Sequence, residues 1–191
     1  MSALKTRVFA AFLLALPLAS TNAAVAAPPN TEIHRKSVDA LDAAGWQPAV
    51  STKGQFSIRV PVAFNDFTIR ATDENIGEMV VHVIGGRNDE GVKFTVTETP
   101  FTPRMKNPDI GKLAADFGDK PGTKVTDIAR DSKDGAERVS FSVTGPASSA
   151  YMQVIKTQTA LYNLTLEFPN AKRSKAAQAK GAFFDSFELK N

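Results

Sequence analysis

The stretch Tyr151-Met-Gln-Val-Ile-Lys-Thr157, followed closely by Leu161-Tyr-Asn-Leu-Thr-Leu-Glu-Phe168, decides the fold of this chain. In the second segment apolar and polar residues alternate, which is the pattern of a β-strand with one buried face. The residues on its apolar face are Tyr162, Leu164, Leu166 and Phe168. A slip of one residue in the pairing would expose all four, so the register is well fixed. The stretch therefore predicts two adjacent strands that pair with each other.

The same alternation recurs upstream, for example at 56–60, 67–71 and 139–143. Turn-forming residues separate these stretches, and the Asp134-Gly135 pair before the last of them is typical of a tight hairpin. Strands that are joined by short turns pair antiparallel. We therefore expect a meandering antiparallel sheet.

Three segments carry the three-to-four-residue spacing of amphipathic helices. A short helix is predicted at 36–44, a second at 109–117 and a C-terminal helix from Asn170 to Phe187, with Asn170 as its N-cap. Gly181 weakens the last helix by about 1 kcal/mol relative to alanine, so the sequence allows a break there.

The eleven phenylalanines downstream of residue 26 need helices as well as a sheet to cover them. A sheet with one polar face cannot bury so many large apolar side chains alone. The predicted fold class is therefore α+β: a twisted antiparallel sheet of about six to seven strands with helices packed on it, including the C-terminal helix.

The N-terminal residues have the pattern of a secretory signal peptide. Lys5 and Arg7 precede a twelve-residue apolar stretch at 8–19, which is shorter than the roughly 20 residues that span a bilayer. An Ala-x-Ala cleavage site ends at Ala26. The predicted organisation is therefore a signal peptide at 1–26, a mobile leader with a short helix at 27–45, and a single domain at 46–191.

The composition of the chain bears on its cellular compartment and on the class of partner it binds. The chain has no cysteine, hence no lipid anchor on a lipobox cysteine and no disulfide. The chain has 23 basic and 20 acidic residues, but Lys5 and Arg7 leave with the signal, so the mature chain is nearly neutral. Such a domain lacks the basic surface that nucleic-acid binding requires. The alanine-rich signal looks bacterial and predicts a periplasmic protein, with release into the medium as the alternative.

The chain has two histidines, His34 and His82. His34 falls in the predicted leader, and His82 falls in the middle of an apolar strand at 79–84. Without cysteine, a zinc site would need both histidines and nearby carboxylates. A hydrogen-bonded strand histidine is the favoured interpretation of His82.

Ordinary structural roles account for the other candidate groups. Nucleophilic catalysis would need a serine near a histidine, but the chain has no Gly-x-Ser-x-Gly motif. The candidate serines lie in a strand (Ser140, Ser142) or in predicted loops (Ser148, Ser149). A carboxylate pair could come from Asp73, Glu74, Glu78 and Glu98, and the last two could face each other in a hairpin at 78–99.

Two charged stretches remain. Arg87–Gly91 offers oxygen ligands but lacks the acidic spacing of a calcium loop, which favours a hairpin turn. The basic residues Lys172, Arg173, Lys175 and Lys180 could meet an anionic membrane or an acidic partner. A solvated helix face is the favoured interpretation. Asn163-Leu-Thr165 matches a glycosylation acceptor but lies in a predicted strand.

Two segments resemble a known group: Gly54-Gln-Phe-Ser-Ile-Arg-Val-Pro61 and Phe183-Phe-Asp-Ser-Phe-Glu-Leu189. The first, with Trp46 before it and Phe64 after it, resembles the opening strand of the PsbP/Mog1-like group. The second resembles the end of the C-terminal helix in exported bacterial members. The resemblance, over 46–190, implies an antiparallel sheet sandwiched by helices. It implies binding or accessory roles more often than chemistry and brings no catalytic motif.

No catalytic, cofactor-binding or metal-binding constellation stands out, so the first hypothesis is a non-enzymatic exported accessory or binding protein of the bacterial envelope, with an envelope protein as its partner. It predicts an exposed apolar patch or an unprotected sheet edge. The alternative is a carrier that holds a small apolar ligand in an enclosed pocket between the C-terminal helix and the sheet. A second alternative is a hydrolase that uses His82 in a cleft.

Overall fold

The computed structural model describes residues 30–38, 40–73, 76–105, 107–119 and 121–190. Their strands are β1 (Asn30–Lys36), β2 (Gln47–Val50), β3 (Phe56–Val60), β4 (Phe64–Asp73), β5 (Gly77–Arg87), β6 (Lys93–Pro100), β7 (Lys124–Lys133), β8 (Ala136–Thr144), β9 (Ser148–Lys156), β10 (Ala160–Pro169) and β11 (Glu188–Leu189). The helices are α1 (Ile110–Gly118) and α2 (Arg173–Phe184), and a 3₁₀ turn at Asn170–Lys172 leads into α2. The predicted signal peptide at 1–26 lies outside the described residues.

Eight strands form one antiparallel sheet in the order β1-β4-β5-β6-β10-β9-β8-β7. Strands β11, β3 and β2 form a second, smaller antiparallel sheet in that order. The α+β class, the antiparallel sheet and the C-terminal helix are confirmed. The expected six to seven strands were too few for the large sheet, because the prediction did not include β1. The strand predicted at 56–60 is β3, which lies in the small sheet instead. Alternation along a strand does not tell which sheet the strand joins.

The segment predicted as a leader contains β1, which pairs antiparallel with β4. The short helix predicted at 36–44 is absent from the described residues of that stretch, which end in a turn. The Asp42 carboxylate accepts the backbone N–H groups of Ala44 and Trp46 at 2.9 and 3.0 Å. Aspartate side chains that bond to nearby backbone in this way favour turns over helices.

The two strands of the opening stretch, β9 and β10, pair antiparallel from Leu161↔Lys156 to Pro169↔Ser148. Tyr162, Leu164 and Phe168 are all buried. The predicted pairing and buried face are therefore confirmed. The Asp134-Gly135 turn between β7 and β8 is also confirmed, and both residues have the positive φ that such hairpins require.

Each face of the large sheet is covered by a different helix. On one face α2 and the small sheet bury Phe94, Leu164 and Phe183 in a shared core. On the other face α1 packs Phe117 against Phe141 of β8, with ring centroids 5.5 Å apart. The molecule is thus a sheet with a hydrophobic core on each side.

The entry into α2 differs from the prediction. Asn170 does not cap the helix, because its side-chain amide donates to the carbonyl oxygens of Gly145 and Pro146 at 3.0 and 3.2 Å. The 3₁₀ turn precedes α2 instead. Gly181 does not break the helix, which continues to Phe184.

Neither helix in the described part of the chain has the length and apolar character needed to cross a membrane.

Candidate functional site

A row of polar side chains crosses the otherwise apolar face of the large sheet on the side of the small sheet. Thr68 of β4 lies opposite His82 of β5, and His82 lies opposite Glu98 of β6. Asp66 is two residues before Thr68 and therefore points to the same face. Asp66, Thr68 and Glu98 are buried. Buried polar groups of this kind need partners, and the partners define the site.

Thr68 links the two histidines of the chain. Its hydroxyl oxygen lies 2.7 Å from His34 Nε2 and 3.0 Å from His82 Nδ1. A register shift between Ile33 and Arg35 places His34 in a bulge of β1, and its side chain is only 7% exposed. His34 was expected in a mobile leader, so its position in a paired strand beside His82 is a correction.

The buried carboxylates hold the loop between β2 and β3 onto the sheet. Asp66 accepts a hydrogen bond from the backbone N–H of Thr52 at 2.7 Å and another from the Thr52 hydroxyl. Glu98 accepts from the backbone N–H of Gln55 at 2.7 Å and from the Tyr162 hydroxyl at 3.2 Å. Each carboxylate therefore has its charge compensated by donors.

Gly54 allows this loop to approach Glu98. A Cβ atom at Gly54 would lie 2.5 Å from Glu98 Oε2 and 2.7 Å from the Phe56 ring. Both distances are far below van der Waals contact. The Lys190 ammonium group also holds this loop, because it donates hydrogen bonds to the carbonyl oxygens of Ser51 and Gly54.

The site's surroundings disfavour positive charge on His82. Burial is the main cause that lowers the pKa of His82 from its ordinary value of 6.5, while the Glu98 charge raises it. His34 and Arg70 lower the pKa of His82 further. Burial and the Glu98 charge both raise the pKa of Tyr162. The phenol therefore stays protonated and donates a hydrogen bond to Glu98.

The geometry gives little support to hydrolysis at this site. His82 does contact a hydroxyl group, as a nucleophilic mechanism requires. That hydroxyl belongs to Thr68, which is 1% exposed, so an external substrate cannot reach it. Within the described ranges, no group of three or more histidine, aspartate and glutamate side chains is placed to hold a metal ion.

Glu78 and Glu98, the two carboxylates that could have faced each other in the hairpin, are not cross-strand neighbours. Glu98 faces His82, whereas Glu78 lies opposite Thr72 of β4. The hairpin of β5 and β6 is confirmed, but its register sets the two glutamates apart along the strands. Glu74 lies outside the described residues.

The candidate serines lie away from the histidines. Ser140 and Ser142 belong to β8, as predicted, whereas Ser148 and Ser149 begin β9 and are not in a loop. Ser149 donates to the Asn170 side chain at 2.6 Å. The hydroxyls of Ser140 and Ser149 thus take part in hydrogen bonds with nearby side chains.

The basic helix surface is largely paired within the molecule. Lys172 and Lys175 both contact Glu90, at 2.9 and 2.6 Å. The Lys180 ammonium lies 4.8 Å from the centre of the Tyr151 ring. Glu90 sits in the turn after β5, where the sequence predicted a hairpin turn. This surface therefore carries less free positive charge than its sequence suggests.

The space between α2 and the sheet is filled with side chains. Phe183 packs edge-on against Phe94 at 5.3 Å, and both rings are buried. Such packing does not favour the ligand carrier. A depression of about 370 Å³ lies elsewhere, at the start of β5 and in the segment after β6, and it is open rather than enclosed.

An antiparallel sheet with helices on both faces defines this chain as an α+β sandwich. The structure is similar to the solution structure of cyanobacterial PsbP (CyanoP) from Synechocystis sp. PCC 6803. The match covers 80% of this chain and 97% of that chain, with a TM-score of 0.51 and 10% sequence identity. No protein-family model matches the sequence, and no curated protein does. The predicted resemblance is thus confirmed for the fold.

Sequence reasoning missed Asp66, Thr68 and the meeting of the two histidines. In the stretch at 67–71, the alternation of Phe67 and Ile69 assigned Asp66 and Thr68 to the solvent side. For Glu98 one signal was available, since it lies at an inward position two residues after Val96. A charge at such a position indicates a buried polar contact. The identity of the contact depends on strand order, which the alternation does not contain.

Proposed function

We propose that this chain is an exported, non-enzymatic accessory or binding protein of the bacterial envelope. The observation that carries the proposal is a concentration of exposed apolar side chains. Among the described residues, six large apolar side chains are exposed, and four of them lie within 33–50. They are Ile33, Val38, Leu41 and Val50, which we call the 33–50 surface.

The four side chains of the 33–50 surface come from β1, the end of β2 and the segment between these strands. Val38 is the most exposed of its members, at 76%. Arg35 of β1 donates to the Val50 carbonyl oxygen at 2.7 Å, which places the end of β2 beside β1. Exposed apolar side chains are a feature of protein interaction sites. The edge of β1 adds backbone groups that a partner strand could pair with.

The location follows from the predicted signal peptide. Export through the inner membrane and cleavage after Ala26 would release a periplasmic protein, with the medium as the alternative destination. Cell fractionation followed by N-terminal sequencing of the product tests this part. Recovery of the uncleaved chain in the cytoplasm would contradict it.

Partner binding is tested by photo-crosslinking in cells that produce the protein. A photoreactive residue at Val38 is expected to give a discrete adduct with an envelope protein. The matched control places the same residue at Ile128, which is 51% exposed on β7 at the opposite edge of the sheet. In the protein with the photoreactive residue at Val38, the additional substitution Leu41→Glu is expected to abolish the adduct, because it puts a charge into the apolar surface. Equal adducts from both positions would refute a partner site at 33–50.

A further inference from the structure

We propose that the chain of hydrogen bonds His34–Thr68–His82 is a proton-controlled latch for the edge strand β1. While at most one of the two imidazoles is protonated, the latch holds β1 on β4. When both are protonated, β1 detaches from β4. This inference concerns the fold itself and does not depend on the proposed partner surface.

The number of protons shared by the Thr68 hydroxyl and the two imidazole nitrogens supports the latch. A threonine hydroxyl has one proton to donate and two lone pairs that accept. When one imidazole nitrogen carries a proton and the other does not, Thr68 accepts from the first and donates to the second. Both nitrogens lie within 3.0 Å of the same oxygen. With two imidazolium ions, both nitrogens donate, the Thr68 proton loses its acceptor, and two cations stand close together.

The charged groups around the latch can compensate one positive charge but poorly compensate two. Two of the nearby carboxylates, Asp66 and Glu98, already accept hydrogen bonds from the loop at 51–55. The third, Glu32, lies 3.6 Å from His34 Nδ1, but it is 60% exposed and its charge is therefore screened by solvent. On the basic side, Arg70 of β4 adds a positive charge that disfavours protonation of His82.

The attachment of β1 depends unusually on His34. β1 pairs with β4 alone, since it is the edge of the large sheet. All its residues are exposed except His34, whose side chain is only 7% exposed. The strand thus gains little from burial of apolar surface, and His34 is its one side chain in contact with Thr68. Loss of this contact leaves β1 with the contacts of Arg35 to Val50 and Phe64 and with backbone hydrogen bonds, which open readily at a sheet edge.

Hydrogen exchange of the full mature chain tests the latch. Protection factors, corrected for the intrinsic pH dependence of exchange, are measured for the amides of β1 between pH 7.5 and pH 4.5. We expect the protection of β1 to fall roughly tenfold or more as the second imidazole is protonated. The amides of β7, the other edge strand, serve as the internal control and should keep their protection.

The variants His82→Gln and His34→Gln remove the charge but keep a side chain that can hydrogen-bond to Thr68. In both variants the protection of β1 is expected to stay constant over this range. Protection of β1 that is independent of pH in the unsubstituted chain would overturn the latch. So would a fall that persists unchanged in both variants.

The NMR titration of the two imidazole rings decides the question should a variant fail to fold. In the unsubstituted chain, the two rings are expected to bind their protons in separate steps, because a positive charge on one ring disfavours a positive charge on the other. Two independent titrations with no such separation would refute the proposal.

Discussion

At the scale of single residues, a buried carboxylate is stable only while its oxygens accept hydrogen bonds. Glu98, 4% exposed, accepts from Gln55 and Tyr162. The substitution Glu98→Ala would leave both donors without an acceptor. We expect it to lower the free energy of unfolding by about 2–4 kcal/mol, measured by urea denaturation.

The matched control is Glu78→Ala, since Glu78 is an exposed glutamate that pairs with Arg70 at 3.4 Å. Exposed ion pairs contribute little, so this change should cost less than about 1 kcal/mol. Similar losses for the two variants would show that Glu98 does not hold the loop at 51–55. The sequence treated these two glutamates as equivalent, and their difference comes entirely from the strand register.

At the scale of elements, α2 is held to the sheet by one fully buried aromatic side chain near its end. Phe183 is 0% exposed and contacts Phe94 and Phe184 edge-on. We expect Phe183→Ala to lower the free energy of unfolding by about 3–5 kcal/mol, because it removes a buried ring and leaves a cavity. Calorimetric or denaturant unfolding measures the loss.

The control for this prediction is Leu189→Ala in β11, where the side chain is 40% exposed. That change should cost less than about 1 kcal/mol, since little buried surface is lost. If Phe183→Ala lowered the free energy of unfolding no more than Leu189→Ala does, the packing of α2 on the sheet would not stabilise the core.

Elements differed in how well the sequence predicted them, and the difference has a physical basis. Strands β9 and β10 were predicted because burial on one face imposes alternation on their sequence. Strand β1 was missed because an exposed edge strand imposes no such pattern, and its residues Asn30–Lys36 are almost all polar. The helix predicted at 36–44 was wrong because the Asp42 side chain stabilises a turn instead.

At the scale of the whole molecule, the polar network depends on strand order, which brings β1 beside β4 and β4 beside β5. His34 and His82 meet through Thr68 only in this order. Local sequence patterns predicted a strand for His82 and an antiparallel sheet around it. They contained no information about which strand would occupy the edge.

The same network gives the stability of the molecule a predicted dependence on pH. Because the pKa of His82 is lowered in the folded state, the unfolded chain binds a proton more readily than the fold does. Stability is therefore highest above the ordinary histidine pKa of 6.5 and decreases as the pH falls below it. The pKa values of Asp42, Glu90 and Asp127 are also lowered, chiefly by hydrogen bonds. Their stabilisation is present above the ordinary carboxyl pKa and is lost only in more acidic solution.

Two separate decreases in stability are therefore expected on acidification, one beginning near pH 6.5 and one below about pH 4.5. His82→Gln should remove the first decrease and keep the second, because glutamine does not titrate while the carboxyls are unchanged. Urea denaturation at pH 8, 5.5 and 3.5 measures both, and Lys180→Gln, at a surface lysine away from the network, controls for loss of a basic group. If the His82→Gln protein lost stability between pH 8 and 5.5 as strongly as the unsubstituted chain, the lowered pKa of His82 would not be the cause of the first decrease.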